Sequence, residues 1–104
     1  MDFILEHSYN DVEKRWEANI SGEIDIFSSD IMKEKFLALI EEKKADIYIN
    51  CHKLEYIDST ALGALVAVLK NVKNYNGSIH LLNIRPNLAK LFKITNLDKV
   101  FVIE

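Results

Sequence analysis

A chain of 104 residues that is 49% hydrophobic and 28% charged, with three glycines and one proline, is long enough to bury one core and too short to bury two. Its formal net charge of -3 gives no basic footprint for a nucleic-acid backbone or an anionic membrane, and no apolar run approaches the roughly 18 residues that cross a bilayer. With no cleavable leader and a single cysteine, Cys51, the expectation is one soluble, cytoplasmic domain over residues 1–104, without an internal disulfide and with neither nucleic acid nor membrane as a partner.

Residues 2–8 alternate loosely and run into Tyr9-Asn10-Asp11, a turn signal, so they read as an edge strand. Residues 14–20 set Trp16, Ala18 and Ile20 against Arg15, Glu17 and Asn19, the two-residue period of a half-buried strand, and the pair reads as an antiparallel hairpin. After Ser21-Gly22-Glu23-Ile24-Asp25, the polar run Ser28-Ser29-Asp30 is suited to open a helix by accepting from its free N–H groups. That helix, about 29–44, carries Met32, Phe36, Leu39 and Ile40 on one stripe.

The run DIYINC at 46–51 is nearly unbroken in apolar, β-branched and aromatic residues, which predicts a central strand covered on both faces, with the Cys51 thiol buried rather than reactive. A helix over about 60–75 follows, closed by Asn76-Gly77 with Gly77 in the left-handed conformation. Then come a strand at 78–83, a short helix opened by Arg85-Pro86-Asn87 with Leu88, Leu91 and Phe92 inward, and a last strand at 99–103. The order β-β-α-β-α-β-α-β predicts an α/β fold, a mixed sheet flanked by helices with right-handed parallel crossovers.

Wound at about 100° per residue, the helix over 60–75 gathers Leu62, Leu65, Val66 and Leu69, with Val72 at the margin, as its core side. The opposite side holds Thr60, Ala64, Ala67 and Asn71, flanked by Gly63, Val68 and Tyr75. A solvated face normally collects Lys, Glu and Gln; this one is small and apolar near its start, as a surface must be for another backbone to come close. Coverage of that face by another element of the same chain is the alternative.

Ser59 stands at the entrance of this helix, where unpaired N–H groups and the positive end of the helix dipole favour an anion. A phosphate there is compatible with the fold, and its charge of roughly -1.5 to -2 at the rim of the apolar face opposes binding to an acidic or apolar partner. A plain helix cap is the other role open to Ser59 or Asp58. No Gly-x-Ser-x-Gly elbow surrounds Ser59, and no glycine-rich phosphate loop is present. His7, His52 and His80 lack ligand spacing, and Cys51 and His52 point to opposite faces as strand neighbours. Catalysis by this chain, a metal and any other cofactor are therefore not expected.

Leu54-Glu55-Tyr56-Ile57-Asp58-Ser59-Thr60-Ala61-Leu62-Gly63 closely resembles the signature of the STAS domain in bacterial anti-sigma factor antagonists, D-S-[ST]-G-L-G after an apolar strand. Gly22-Glu23-Ile24-Asp25 resembles that family's G-E-[LI]-D element, again just before the first helix, and the likeness covers nearly the whole chain. The resemblance implies a STAS-like fold, a phosphoacceptor at Ser59 with Thr60 the lesser candidate, and partner switching. In that scheme the unmodified chain binds an anti-sigma factor that is also a serine kinase and so frees the sigma factor. Phosphorylation of Ser59 breaks the complex, and a metal-dependent serine phosphatase restores it; the ATP and Mg belong to the partner. Asp58 shapes the loop around the acceptor and Asp25, by analogy, lies near it, a loop-capping carboxylate being the other role open to Asp25; the partner-binding residues expected are Asp25, Asp58, Ser59, Thr60, Gly63, Ala64, Ala67 and Asn71. The alternative is a non-catalytic STAS subunit of a transporter or signalling assembly. Two departures stand out: Ala61 occupies a position where the family usually has Gly, which matters if a partner passes close to its Cα, and the sequence ends at Glu104 right after its last expected strand, where relatives commonly carry a further C-terminal helix.

Overall fold

The computed structural model describes residues 3–104. Its elements are β1 (Phe3–Asn10), β2 (Arg15–Ile24), α1 (Ser29–Glu42), β3 (Asp46–Ile57), α2 (Ser59–Lys73), β4 (Ile79–Leu82), α3 (Pro86–Ile94), a single 3-10 turn (Leu97–Lys99) and β5 (Val102–Ile103). The expected order of strands and helices is the one observed; Asp2, where the first strand was expected to begin, lies outside the described residues.

The strands lie in the order β1-β2-β3-β4-β5, with β1 antiparallel to β2 and every later pair parallel. Each right-handed crossover from β2 through β5 advances one place in the same direction, so α1, α2 and α3 all fall on one face of the sheet. This corrects the expectation that β3 is covered on both faces. Ile47, Ile49 and Cys51 are buried under the helices, whereas Tyr48 and Asn50 are half-buried and His52 is exposed on the other side.

That open face is stabilised by contacts within itself. The Tyr48 ring stacks on His80 with centroids 3.9 Å apart, and the Arg15 guanidinium lies 3.9 Å from the same Tyr48 centroid. Ser78 Oγ and Glu104 Oε2 sit 2.9 and 2.7 Å from the two His80 ring nitrogens. Glu17 accepts from Asn10 Nδ2 at 3.0 Å and Arg15 Nε at 2.9 Å, and these bonds, the Asn10 one foremost, hold its carboxyl below the usual range. An apolar-looking strand thus has an aromatic and polar outer side.

On the covered face one core runs through Trp16, Ile20, Met32, Phe36, Ile49, Ile57, Leu65, Val72, Leu81, Phe92 and Phe101. The turn after α2 differs from expectation in which residue takes which role. Asn76 adopts the left-handed conformation, at φ 61°. Gly77 is there for space, since a Cβ on it would come within 2.8 Å of the Val72 and Tyr75 side chains.

Candidate functional site around Ser59

The site lies where β2 and β3, which are parallel, both end. β3 extends past the expected 46–51 to Ile57, opposite Ile24, and the Asp58 N–H donates to the Ile24 carbonyl at 3.2 Å. Strand pairing therefore delivers the loop after β2 and the start of α2 side by side. Asp58 is the N-cap of α2: its extended backbone lets the carboxylate accept the Ala61 N–H at 3.0 Å, and also the Thr60 hydroxyl. The Thr60 bond, then the Ala61 bond, keep the Asp58 carboxyl below the ordinary aspartate range.

The two neighbouring hydroxyls are consequently unlike. Thr60 Oγ1 is committed to Asp58. Ser59, the first residue of α2, is exposed, and its hydroxyl has no hydrogen-bond partner among the described residues. A free primary hydroxyl at a helix N-terminus is open to esterification and lies where an anion is favoured.

The second loop is built by its own motif. Gly22, at φ 88°, sits at the irregularity where β2 shifts register against β3, a conformation that side chains disfavour. Beyond it Asp25 Oδ1 accepts from Phe27 N (2.9 Å), Ser28 N (3.2 Å) and Ser28 Oγ (3.2 Å), while Ser28 Oγ accepts from Asp25 N at 3.0 Å. Ser28 was expected to cap α1 with its side chain; it points back into the turn instead and makes no cap bond. Asp25 follows Ile24, whose carbonyl accepts the Asp58 N–H, and its carboxylate is employed in holding the turn, the loop-capping role that was the alternative for it.

Between α1 and α2 runs a groove of about 350 Å³ lined by Ile26, Ser29, Asp30 and Lys33 on one side and Thr60, Gly63, Ala64 and Ala67 on the other. Of the expected contact residues, Thr60, Gly63 and Ala67 are at its surface. Ala64 is not free surface: only 7% exposed, it is the floor of the groove, covered by α1. Asn71 belongs elsewhere, about 18 Å along the helix from Ser59 at 1.5 Å per residue; its amide donates to the Ala67 carbonyl and it borders a separate groove with Leu37, Ile40 and Tyr75.

The buried side of α2 is Ala61, Ala64, Leu65, Val68, Leu69 and Val72, so the helix is turned by roughly 60° from the orientation expected. Leu62 and Val66, expected in the core, are half-exposed beside it. The reason is that α2 packs on two partners, the sheet and α1, and small residues at 61 and 64 permit the helix-to-helix approach. Ala61 is completely buried, so its methyl cannot meet a partner, which removes the concern raised by the missing family glycine.

Three large apolar side chains at this end escaped sequence reasoning: Ile26, Phe27 and Ile31, all exposed. The available signal was an adjacent pair of big apolar residues inside a turn closed by Asp25 and Ser28. Cys51 is buried and desolvation pushes its thiol up to about 12, leaving it inert at neutral pH. Among the described residues no group of three or more His, Cys, Asp and Glu side chains is placed to hold a metal ion, and no helix is long and apolar enough to cross a membrane.

Comparison with known proteins agrees with this geometry. The STAS domain family model matches residues 11–104. The anti-sigma-B factor antagonist of Bacillus subtilis strain 168 is 37% identical over 99 residues, covering 95% of this chain and 86% of its own. Among solved structures, the anti-sigma factor antagonist SpoIIAA in its unphosphorylated form is similar at a TM-score of 0.70 and 22% identity, over 89% of this chain and 83% of that one. The phosphorylated form of the Bacillus cell fate determinant SpoIIAA is similar at 0.72 and 21%, over 99% and 91%. With the strand order, the Asp58-Ser59-Thr60 helix start and the Gly22-Glu23-Ile24-Asp25 turn, these matches mean that the chain belongs to the STAS domain family, among its anti-sigma factor antagonists.

Proposed function

We propose that Ser59 is the phosphoacceptor of a partner switch and that the groove between α1 and α2 belongs to the surface it controls. Residues 1–104 make one STAS domain in this reading. The unmodified chain binds an anti-sigma factor and thereby releases the sigma factor. The observation that carries the reading is the contrast between the two hydroxyls: Thr60 is tied to Asp58, while Ser59 is exposed at the N-terminus of α2 with no hydrogen-bond partner among the described residues.

The chain is a substrate and ligand in this scheme, not a catalyst. The anti-sigma factor is also the kinase: the γ-phosphoryl group of its ATP passes to Ser59 Oγ, the hydroxyl proton is lost and ADP leaves. A metal-dependent phosphatase later hydrolyses the ester, returning the hydroxyl and inorganic phosphate. The exchange takes place in the cytoplasm, where the sigma factor acts. Phosphorylation places roughly two negative charges beside the Asp58 carboxylate and at the groove rim. The helix N-terminus tolerates that charge within the domain, whereas an apolar or acidic partner surface closing over it does not.

Incubation of the chain with the Bacillus subtilis anti-sigma-B factor and Mg-ATP tests this. Phosphate on Ser59 by mass spectrometry, loss of the complex, persistent binding by Ser59→Ala and weakened binding by Ser59→Asp are expected. Phosphate found on Thr60 instead, or tight binding by Ser59→Asp, contradicts the assignment.

A further inference from the structure

The turn joining β2 to α1 leaves Ile26 62% exposed and Phe27 83% exposed, with Ile31 at 52% one turn further on. Folding does not require apolar residues there. The turn is closed by the Asp25 and Ser28 side chains and neither Ile26 nor Phe27 reaches the core, so polar residues would serve the turn as well. Adjacent large apolar residues held out in water mark a contact surface. The turn is also held by several internal hydrogen bonds, which limits the freedom lost when a partner closes on it.

Its place relative to Ser59 is fixed by strand pairing, since Asp58 N–H bonds to Ile24 and Ile26 lines the same groove as Thr60, Gly63 and Ala67. Resting on the partner-switching reading, we propose that Phe27, assisted by Ile26, is the apolar anchor by which this chain holds its anti-sigma factor, inserting into an apolar pocket of that protein next to the surface that receives Ser59. Ile26, next to Phe27, lines the same groove as Thr60, next to Ser59, so a partner seated on that groove meets the turn and the start of α2 together. A kinase that reaches the Ser59 hydroxyl therefore covers the turn, whereas a second copy of this chain seated there would close the hydroxyl off. Affinity resides in the anchor, and the phosphate decides whether the anchor can engage.

The test is calorimetric titration of the full chain into the Bacillus subtilis anti-sigma-B factor, with Phe27→Ala, Ile26→Ala, Ser59→Asp and, as a control on α3, Ile94→Ala, whose side chain is 71% exposed. Phe27→Ala is expected to weaken binding about 30-fold, as for a buried apolar hot spot, and Ile26→Ala by less. Ile94→Ala should bind as wild type, and all four should keep the wild-type Tm. Phe27→Ala should still be phosphorylated on Ser59, with raised KM and unchanged kcat. Phe27→Ala binding within about twofold of wild type, while Ser59→Asp binds weakly, overturns the anchor and leaves the switch standing. Loss of binding by Ser59→Asp and Ile94→Ala alike also overturns it, since exposed apolar area anywhere would then suffice. Wild type that does not bind at all overturns the partner assignment and the anchor with it. Self-association of wild type, abolished in Phe27→Ala, assigns the turn to a second copy and likewise overturns the proposal.

Discussion

The open face of the sheet and the rim around Ser59 are both solvent-exposed, yet they dispose of their side chains in opposite ways. On the open face polar and aromatic groups find one another: Arg15 and His80 both lie on the Tyr48 ring, Glu17 accepts from Arg15, and Ser78 and Glu104 bond to the two His80 ring nitrogens. At the rim Asp58 and Asp25 also take up neighbouring polar groups, but Ile26 and Phe27 stay largely exposed and the Ser59 hydroxyl has no hydrogen-bond partner among the described residues. A surface that satisfies itself gains little from a partner, and one that leaves apolar area exposed gains much. The contrast supports the proposal that docking falls to the rim and solvation to the open face.

The largest expected effect comes from the seam beneath the rim. Ala64 is buried where α1 and α2 approach, so Ala64→Leu should overpack it, with a loss of about 2 kcal/mol and a Tm fall on the order of 10 °C. Thermal unfolding of the variant checks this. Unchanged Tm would mean that Ala64 is free surface after all, and the rim would then be a wider small-residue face than the structure has.

Next in size is the open face itself. Tyr48→Ala removes both the His80 stack and the Arg15 contact, and should destabilise the domain by about 1 kcal/mol while leaving the affinity for an anti-sigma factor unchanged. A variant with normal Tm and weakened binding would reverse the roles given to the two surfaces.

Much of this architecture is written in local pattern. The two-residue alternation of Trp16, Ala18 and Ile20, and the stripe Met32, Phe36, Leu39 and Ile40, are each decided by neighbours in sequence, and the core keeps all of them. What local pattern missed depends on distant partners. Tyr48 looks interior because it is aromatic, but its covering group is His80 from the next strand, not a helix. On α2, the helical wheel taken by itself put Leu62 and Val66 inward; the presence of α1 beside the helix makes the small Ala61 and Ala64 the buried ones. The place of Ser59 at a helix start was legible from the sequence. Phe27 was not, because exposure of a turn residue depends on how its carboxylate neighbour folds the loop, here through Asp25.

A smaller and sharper probe is Gly63. No atom lies within 4 Å of where its Cβ would be, so Gly63→Ala fits without strain and should stabilise α2 by just under about 1 kcal/mol through helix propensity. If the partner's backbone closes on the groove, the same methyl should weaken binding by roughly tenfold, the size expected of a modest overpacking clash. Raised Tm together with lowered affinity would separate folding from docking at one position. Raised Tm with unchanged affinity would restrict the interface to the Ser59 and Phe27 end.

The smallest effect concerns acid. Asp58 at the rim and Glu17 on the open face both have lowered carboxyl pKa values, the first chiefly through the Thr60 hydroxyl and the second chiefly through Asn10. A carboxyl that is more acidic folded than unfolded contributes stability that is present above its unfolded pKa and disappears as pH falls through its folded one, so both contributions fade from the ordinary carboxylate range downward. Total stability in acid cannot tell them apart, but the donors can. Thr60→Val removes the principal cause at Asp58 and nothing at Glu17, so a carboxylate titration by NMR should show Asp58 rising toward an ordinary aspartate while Glu17 stays where it is. If Glu17 moves as well, the two surfaces are coupled through the sheet, and the division between a self-satisfied face and an unsatisfied rim is not local to either.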